Sequence, residues 1–179
     1  MAGPRQAPRK LDADRLMQYA LGALGRRALS AGELRERLSR RAAEAADVAG
    51  VMERLKEYGY LDDGRFAESF ANWRKENQGL GRQRVLRDLR MRRVAPAVAE
   101  KAVDAAYAQA DETALVEQFL ARKMRGVALG EYLAEPKNMA SAYRKLRYAG
   151  FSPGASIAVL RRYSERAEEL EDEPEDNAT

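Results

Sequence analysis

The 179-residue chain has no cysteine and no histidine. That double absence excludes disulfides, thiolate or imidazole zinc sites, Cys or Ser–His nucleophilic catalysis and histidine proton shuttling. Aromatic residues make up only 7%, with a single tryptophan. No apolar run approaches the roughly 18 residues needed to span a bilayer. Met1–Lys10 carries Pro4, Pro8, Arg5, Arg9 and Lys10 without an apolar stretch, so it does not read as a secretory leader. What is present is 45% hydrophobic and 34% charged residues, the profile of helices with long solvated faces. One or two compact domains in a reducing compartment are expected.

The net charge of +4 hides a split. Glu165–Asp176 holds eight acids and one base, a local charge of −7, which leaves +11 on residues 1–164. A basic body attracts polyanions, and an acidic tail competes for the same surface. Pro174, Asn177 and the unopposed carboxylates give the tail nothing to bury, which predicts disorder beyond Leu170. Within the body, Asn72–Arg93 contains Arg74, Lys75, Arg82, Arg84, Arg87, Arg90, Arg92 and Arg93 against only Glu76 and Asp88.

Helix starts recur along the chain. Each has a capping residue, an apolar residue just before it and another four positions on, an arrangement that fixes the direction of the first turn. Leu11-Asp12 with Leu16, Leu61-Asp62 with Phe66 and Ala110-Asp111 with Leu115 place three caps 50 and 49 residues apart. A second series has Ser30, with Glu33 completing a capping box, then Gly81 before Val85, then Asn138. A third has Asp47, Ala95-Pro96 and Ser152-Pro153, proline being favoured at a first helical position. Nine helices in three similar units follow. Apolar spacings of three and four agree, as in Leu16, Ala20 and Leu24 or Val48, Val51, Met52 and Leu55, and no stretch alternates as a strand would.

Three-helix packages of this size cannot hide their apolar faces alone, so they stack. The expected fold is all-α: an elongated, curved array of three tandem three-helix repeats. Its parts are a flexible basic segment 1–10, repeats at 11–61, 62–109 and 110–164, and an acidic, largely disordered tail 165–179. The extra residues between Arg122 and Pro136, with Gly126 and Gly130, read as a bend in the third repeat.

At the seam between the first two repeats stands Gly59-Tyr60-Leu61-Asp62-Asp63-x-x-Phe66-Ala67. Read physically, Gly59 ends one helix in the left-handed conformation, Asp62 caps the next, and Leu61 and Phe66 clamp the corner. This string, with three helical units around it, resembles the bacterial RecX regulatory-protein family over roughly residues 12–164. Ser30-x-x-Glu33-Leu34-Arg35-x-x-Leu38, Gly79-x-Gly81-x-x-Arg84-Val85-x-x-Asp88-Leu89 and Gly150-Phe151-Ser152 support the likeness. The resemblance implies a cytoplasmic modulator of the RecA recombinase that binds the RecA–DNA filament and restrains strand exchange, ATP hydrolysis and co-protease activity. DNA repair and the SOS response are the setting it implies.

Chemical alternatives fare worse. Asp62 and Asp63 with Glu68 suggest a Mg²⁺ nuclease only superficially, because adjacent residues point to different sides of a helix start and Asp62 is already a cap. Gly79-x-Gly81 lacks the lysine and strand of a phosphate cradle. No catalytic residue, metal or cofactor is expected. Tyr58, Tyr60, Phe66 and Phe70 read as core by their helical spacing, with Trp73 at the edge of the basic surface as the exception. Helical geometry puts Val85, Leu86 and Leu89 on one side and Arg84, Arg87 and Met91 on the other, flanked by Arg90. A single carboxylate, Asp88, cannot neutralise that face, and unpaired guanidiniums suit phosphate or acidic side chains.

Three functions therefore stand: a monomeric inhibitor that grips the RecA filament, with single- or double-stranded DNA as a second contact; a general DNA-binding protein of tandem three-helix modules; and a protein-interaction scaffold. No membrane partner is expected. Neutralising about five phosphates would give the DNA-binding reading a log–log salt slope of roughly −4 to −5.

Overall fold

The computed structural model describes residues 10–163; the acidic tail and all but Lys10 of the basic segment lie outside the described residues. The described residues form ten α-helices: α1 Ala13–Arg26, α2 Ala31–Arg41, α3 Ala45–Glu57, α4 Asp63–Trp73, α5 Arg82–Met91, α6 Pro96–Tyr107, α7 Glu112–Lys123, α8 Leu129–Leu133, α9 Pro136–Ala149 and α10 Pro153–Arg161. A π-helical turn, Arg74–Gln78, follows α4. No strand occurs among the described residues, only an isolated bridge between Leu11 and Ala42. The helices form tandem three-helix repeats, all-α as expected.

The caps account for most of the starts. Asp12 accepts from the Arg15 N–H, Ser30 and Glu33 close a reciprocal capping box, Asp111 accepts from Thr113 and Ala114, and Ser152 accepts from Ala155 with Pro153 at the first helical position. Asp62 caps α4 through the Arg65 N–H at 2.9 Å. At the end of α3 the Tyr60 N–H reaches back to Leu55 and the Gly59 N–H to Lys56, with Gly59 at φ 71°, the reciprocal closure that a left-handed residue permits.

Three expectations need correction. The helices number ten, because the segment read as a bend contains α8, whose Leu133 is buried in the local core. Asp47 is not a cap: α3 begins at Ala45 after Glu44, and Asp47 sits in its first turn, where a carboxylate suits the helix dipole. Asn138 is likewise inside α9, which starts at Pro136 after Glu135; the proline sets that start, and the Asn138 amide donates to the Glu135 carboxylate.

The chain divides into two compact units, one ending at Ser69 and taking up Leu89–Ala99, the other made of Phe70–Asp88 and the residues from Glu100 onward. The middle repeat is shared between them. In the first unit Leu16, Ala20, Leu34, Leu38, Met52 and Leu55 form the centre of a core in which α1 packs on α2 and α3. In the second, α7, α9 and α10 enclose Val116, Leu120, Leu146, Phe151, Ile157 and Leu160, with Phe119 and Phe151 edge to face at 5.6 Å.

The same joint appears once in each unit. In the first, the Ser30 hydroxyl at the start of α2 hydrogen-bonds the Arg92 carbonyl at the end of α5, and the Ala31 N–H donates to Asp63 Oδ1 at 2.7 Å. In the second, the Gly81 N–H at the start of α5 donates to the Ala149 carbonyl at 2.9 Å and the Gln83 N–H to the Gly150 carbonyl at 3.1 Å, at the end of α9. In both, the receiving helix ends in a left-handed residue: Arg93 at φ 57° and Gly150 at φ 93°. In the second joint the free N–H groups of a helix start are satisfied by the free carbonyls of another helix end; in the first, the Ser30 hydroxyl meets the carbonyl and the Asp63 carboxylate takes the N–H.

Candidate functional site

The eight bases singled out between Asn72 and Arg93 meet more carboxylates than the single Asp88 expected. In the first unit, Arg92 Nε pairs with Glu33 Oε1 at 2.7 Å and the guanidinium lies 5.1 Å from the Phe66 ring centroid. Arg93 Nε pairs with Glu36 Oε2 at 2.7 Å, and Arg90 is exposed. Burial pushes the Glu33 carboxyl up, but hydrogen bonds from Arg92, Arg27 and the Ser30 N–H outweigh it and hold the group below its ordinary value. Glu33, sought in the sequence only as half of a capping box, therefore also anchors Arg92.

In the second unit Asp88 is buried, not on the solvated face of α5. One of its oxygens takes Arg74 and the other takes Arg84 Nε at 3.0 Å. Two guanidiniums on one buried carboxylate leave a net positive charge held in fixed positions. Arg74 also donates to Gln78 and lies 5.1 Å from the Phe70 ring centroid. Arg84 stacks on Tyr148 at 4.6 Å from the ring centroid. Contact with the Tyr148 side chain, opposed by burial and helped by Asp88, raises the Arg84 pKa, so its charge is permanent. Lys75 donates to the Ala106 carbonyl at 2.6 Å and Arg82 pairs with Asp104. Arg87 is exposed and reaches the Tyr148 carbonyl only at 3.4 Å.

The idea of a row of unpaired guanidiniums is thus corrected. At least five of the eight hold carboxylates, because α2 and α6 bring Glu33, Glu36 and Asp104 to residues that are distant in sequence. The pairs differ in worth. Arg82–Asp104 and Arg93–Glu36 are largely exposed and are worth under about 1 kcal/mol, so an incoming anion can displace them. Arg74 and Arg84 with Asp88 are sheltered and structural.

The aromatic residues also sort differently. Tyr58 and Tyr60 are 60% and 57% exposed, so their assignment to the core is wrong: they sit in the exposed turn that closes α3. Phe66 and Phe70 are half-buried under Arg92 and Arg74. Trp73 is 51% exposed, outside the core as expected. Asp62 and Asp63 carry out backbone capping, and no cluster of acids able to hold a metal occurs among the described residues. Leu61 and Ala67 of the same motif are buried.

Sequence reasoning missed a cavity of about 640 Å³ in the second unit, walled by Arg74 and Arg84 together with Lys123, Arg144 and Lys145. Its floor is apolar, made by Leu80, Phe119, Met124 and Ala149, and no carboxylate among the described residues lines it. Lys123 lies 5.9 Å from the Phe119 ring centroid. The basic runs Arg122-Lys123 and Arg144-Lys145 were visible as charge, but nothing local says that α7 and α9 turn them toward the residues of the π-turn and α5. Among the described residues no helix is long and apolar enough to cross a membrane.

Comparison with known proteins agrees with this architecture. Residues 62–103 match the family described as "RecX, second three-helix domain". The "Regulatory protein RecX" of Streptomyces coelicolor is 30% identical over 147 residues, spanning 80% of this chain and 71% of that protein. That of Halorhodospira halophila is 41% identical over 85 residues, covering 48% of this chain and about half, 52%, of its relative's length. The crystal structure of RecX from Lactobacillus salivarius superimposes with a TM-score of 0.63 over 86% of this chain and 97% of that one; at 14% identity this is a likeness of fold. With sequence and fold in agreement, the chain belongs to the RecX family of regulatory proteins.

Proposed function

We propose that this protein is a cytoplasmic regulator of the RecA recombinase that binds the RecA nucleoprotein filament and restrains strand exchange, ATP hydrolysis and co-protease activity, and so tempers DNA repair and the SOS response. The observation that carries this reading is membership of a family whose relatives are named regulatory proteins. The charge map supports it: Arg87, Lys123, Arg144 and Lys145 are exposed cations of the second unit, and Arg90 is one of the first. Arg74, Lys75, Arg82 and Arg84 add fixed or exchangeable positive charge in the second unit, and Arg92 and Arg93 add it in the first. Repeats that touch successive subunits of a polymer gain from effective concentration, so several weak contacts suffice. Such a protein needs no catalytic group; it acts as a monomer by occupancy, hindering the subunit rearrangements that hydrolysis and strand exchange require. DNA within the filament, single- or double-stranded, is the second polyanion this surface can meet.

The test is the DNA-dependent ATPase of RecA. Inhibition is expected well below one molecule of this protein per recombinase, and Arg87→Glu with Lys123→Glu should weaken it roughly tenfold. No inhibition at equimolar protein overturns the reading.

A further inference from the structure

We propose that the cationic cavity of the second unit is a nucleotide site, with phosphate oxygens held by Lys123, Arg144 and Lys145 and the base laid on the apolar floor. Its volume, about 640 Å³, lies within the range of small-ligand pockets and far exceeds what a bare phosphate fills. Among the described residues the walls carry five cations and no carboxylate, and the buried Asp88 is already taken by Arg74 and Arg84. Neither Arg144 nor Lys145 makes an ion pair with another described residue, although both are exposed on a helix and positioned beside the cavity. Five cations gathered around one described counter-ion, Asp88, repel one another, and an entering polyanion relieves that repulsion.

The floor decides between anions. Leu80, Phe119, Met124 and Ala149 offer hydrophobic surface that an acidic side chain or inorganic phosphate leaves uncovered, whereas a nucleobase covers it. At the rim, Tyr148 is 71% exposed and braced by the Arg84 guanidinium at 4.6 Å from its centroid, a stacking platform for a planar ring. Ser141 and Gln78 add hydrogen-bonding groups to the lining. A flat apolar ring joined to phosphate is the chemistry of a nucleotide. It can come from a free nucleoside triphosphate or from one unit of a single strand.

The inference concerns part of the surface invoked for recombinase regulation, but its test needs no recombinase, so the two can fail separately. Binding of the full-length protein to a fluorescent ATP analogue and to a labelled oligothymidylate is measured side by side by anisotropy, with inorganic triphosphate and polyglutamate as competitors. Saturable binding of either probe, lost by roughly tenfold or more in Arg144→Glu/Lys145→Glu and unchanged in Lys101→Glu outside the cavity, is expected. Preference for ATP identifies the free nucleotide as the source, and preference for the oligonucleotide identifies the strand. Ser141→Trp fills the cavity without changing charge and should abolish binding, provided its thermal melt matches wild type; Tyr148→Ala serves if it does not fold, with a loss of about fivefold expected for one lost stacking contact. Binding retained in both Ser141→Trp and Tyr148→Ala, or competition by triphosphate or polyglutamate as strong as by ATP, overturns the proposal, as does the absence of binding by both probes.

Discussion

Gly81 and Gly150 meet backbone against backbone: a Cβ atom placed on Gly81 would stand 2.4 Å from the Gly150 carbonyl. Space, not conformational freedom, is what Gly81 supplies, since its neighbours there are main-chain atoms that cannot swing aside. Gly32 stands in the same relation to Arg93 in the first unit, where the added carbon would be 2.4 Å from the Arg93 carbonyl. Serine or aspartate would cap α5 better in isolation, but either would wedge the joint open.

Gly81→Ala and Gly32→Ala are each expected to destabilise the protein by about 2 kcal/mol, because backbone must move to admit the methyl group. Gly22→Ala, where nothing lies within 4 Å, is the comparison and should be neutral or mildly stabilising. Urea denaturation of the three variants checks this.

Glu33 gives stability a pH dependence. Its carboxyl is held below its ordinary value of 4.5 in the folded chain, so its contribution is complete above that value and is lost as pH falls through the depressed one. Glu33→Gln should cost about 1–2 kcal/mol at neutral pH and flatten the acid limb of a stability profile between roughly pH 5 and 3. A profile of unchanged slope in the variant contradicts the assignment.

Asp88 should prove structural. Its removal as Asp88→Ala strands Arg74 and Arg84 in a sheltered place and should cost about 3 kcal/mol or more. Replacing the carboxylate also frees Arg84 from the position that braces Tyr148, so near-ultraviolet circular dichroism should change together with the melting temperature.

The acidic segment, outside the described residues, makes an electrostatic prediction from its charge alone. Deleting residues 165–179 removes a charge of −7 and should raise affinity for RecA filaments at low salt, with the gain vanishing as the Debye length shrinks to about 3 Å near 1 M. Equal affinities at low salt would leave the segment no role in screening the basic body. Titration by light scattering or co-sedimentation measures this directly.

Much of the fold is written locally. Capping residues at Asp12, Ser30, Asp62, Asp111 and Ser152 could be located from side-chain chemistry a few residues apart, and so could the repeat of about fifty residues they mark out. Where local chemistry was weak, at Asp47 and Asn138, the starts were each misplaced by three residues, since neither side chain competes with the packing that fixes α3 or with the proline that opens α9. The basic surface was legible as charge but not as geometry. Counting acids nearby in sequence finds only Glu76 and Asp88, yet α2 and α6 deliver Glu33, Glu36 and Asp104 from as far as 59 residues away.

What the residues determined unaided is the helical class, the repeat and the family: each depends on spacing along the chain, which a sequence states outright. Only the tertiary structure decided which cations are bound to acids, that Asp88 is interior, and that Lys123, Arg144 and Lys145 gather with Arg74 and Arg84 around an apolar floor. Electrostatic and packing energies fall off with distance in space, and the packing of helices, not their order, sets those distances.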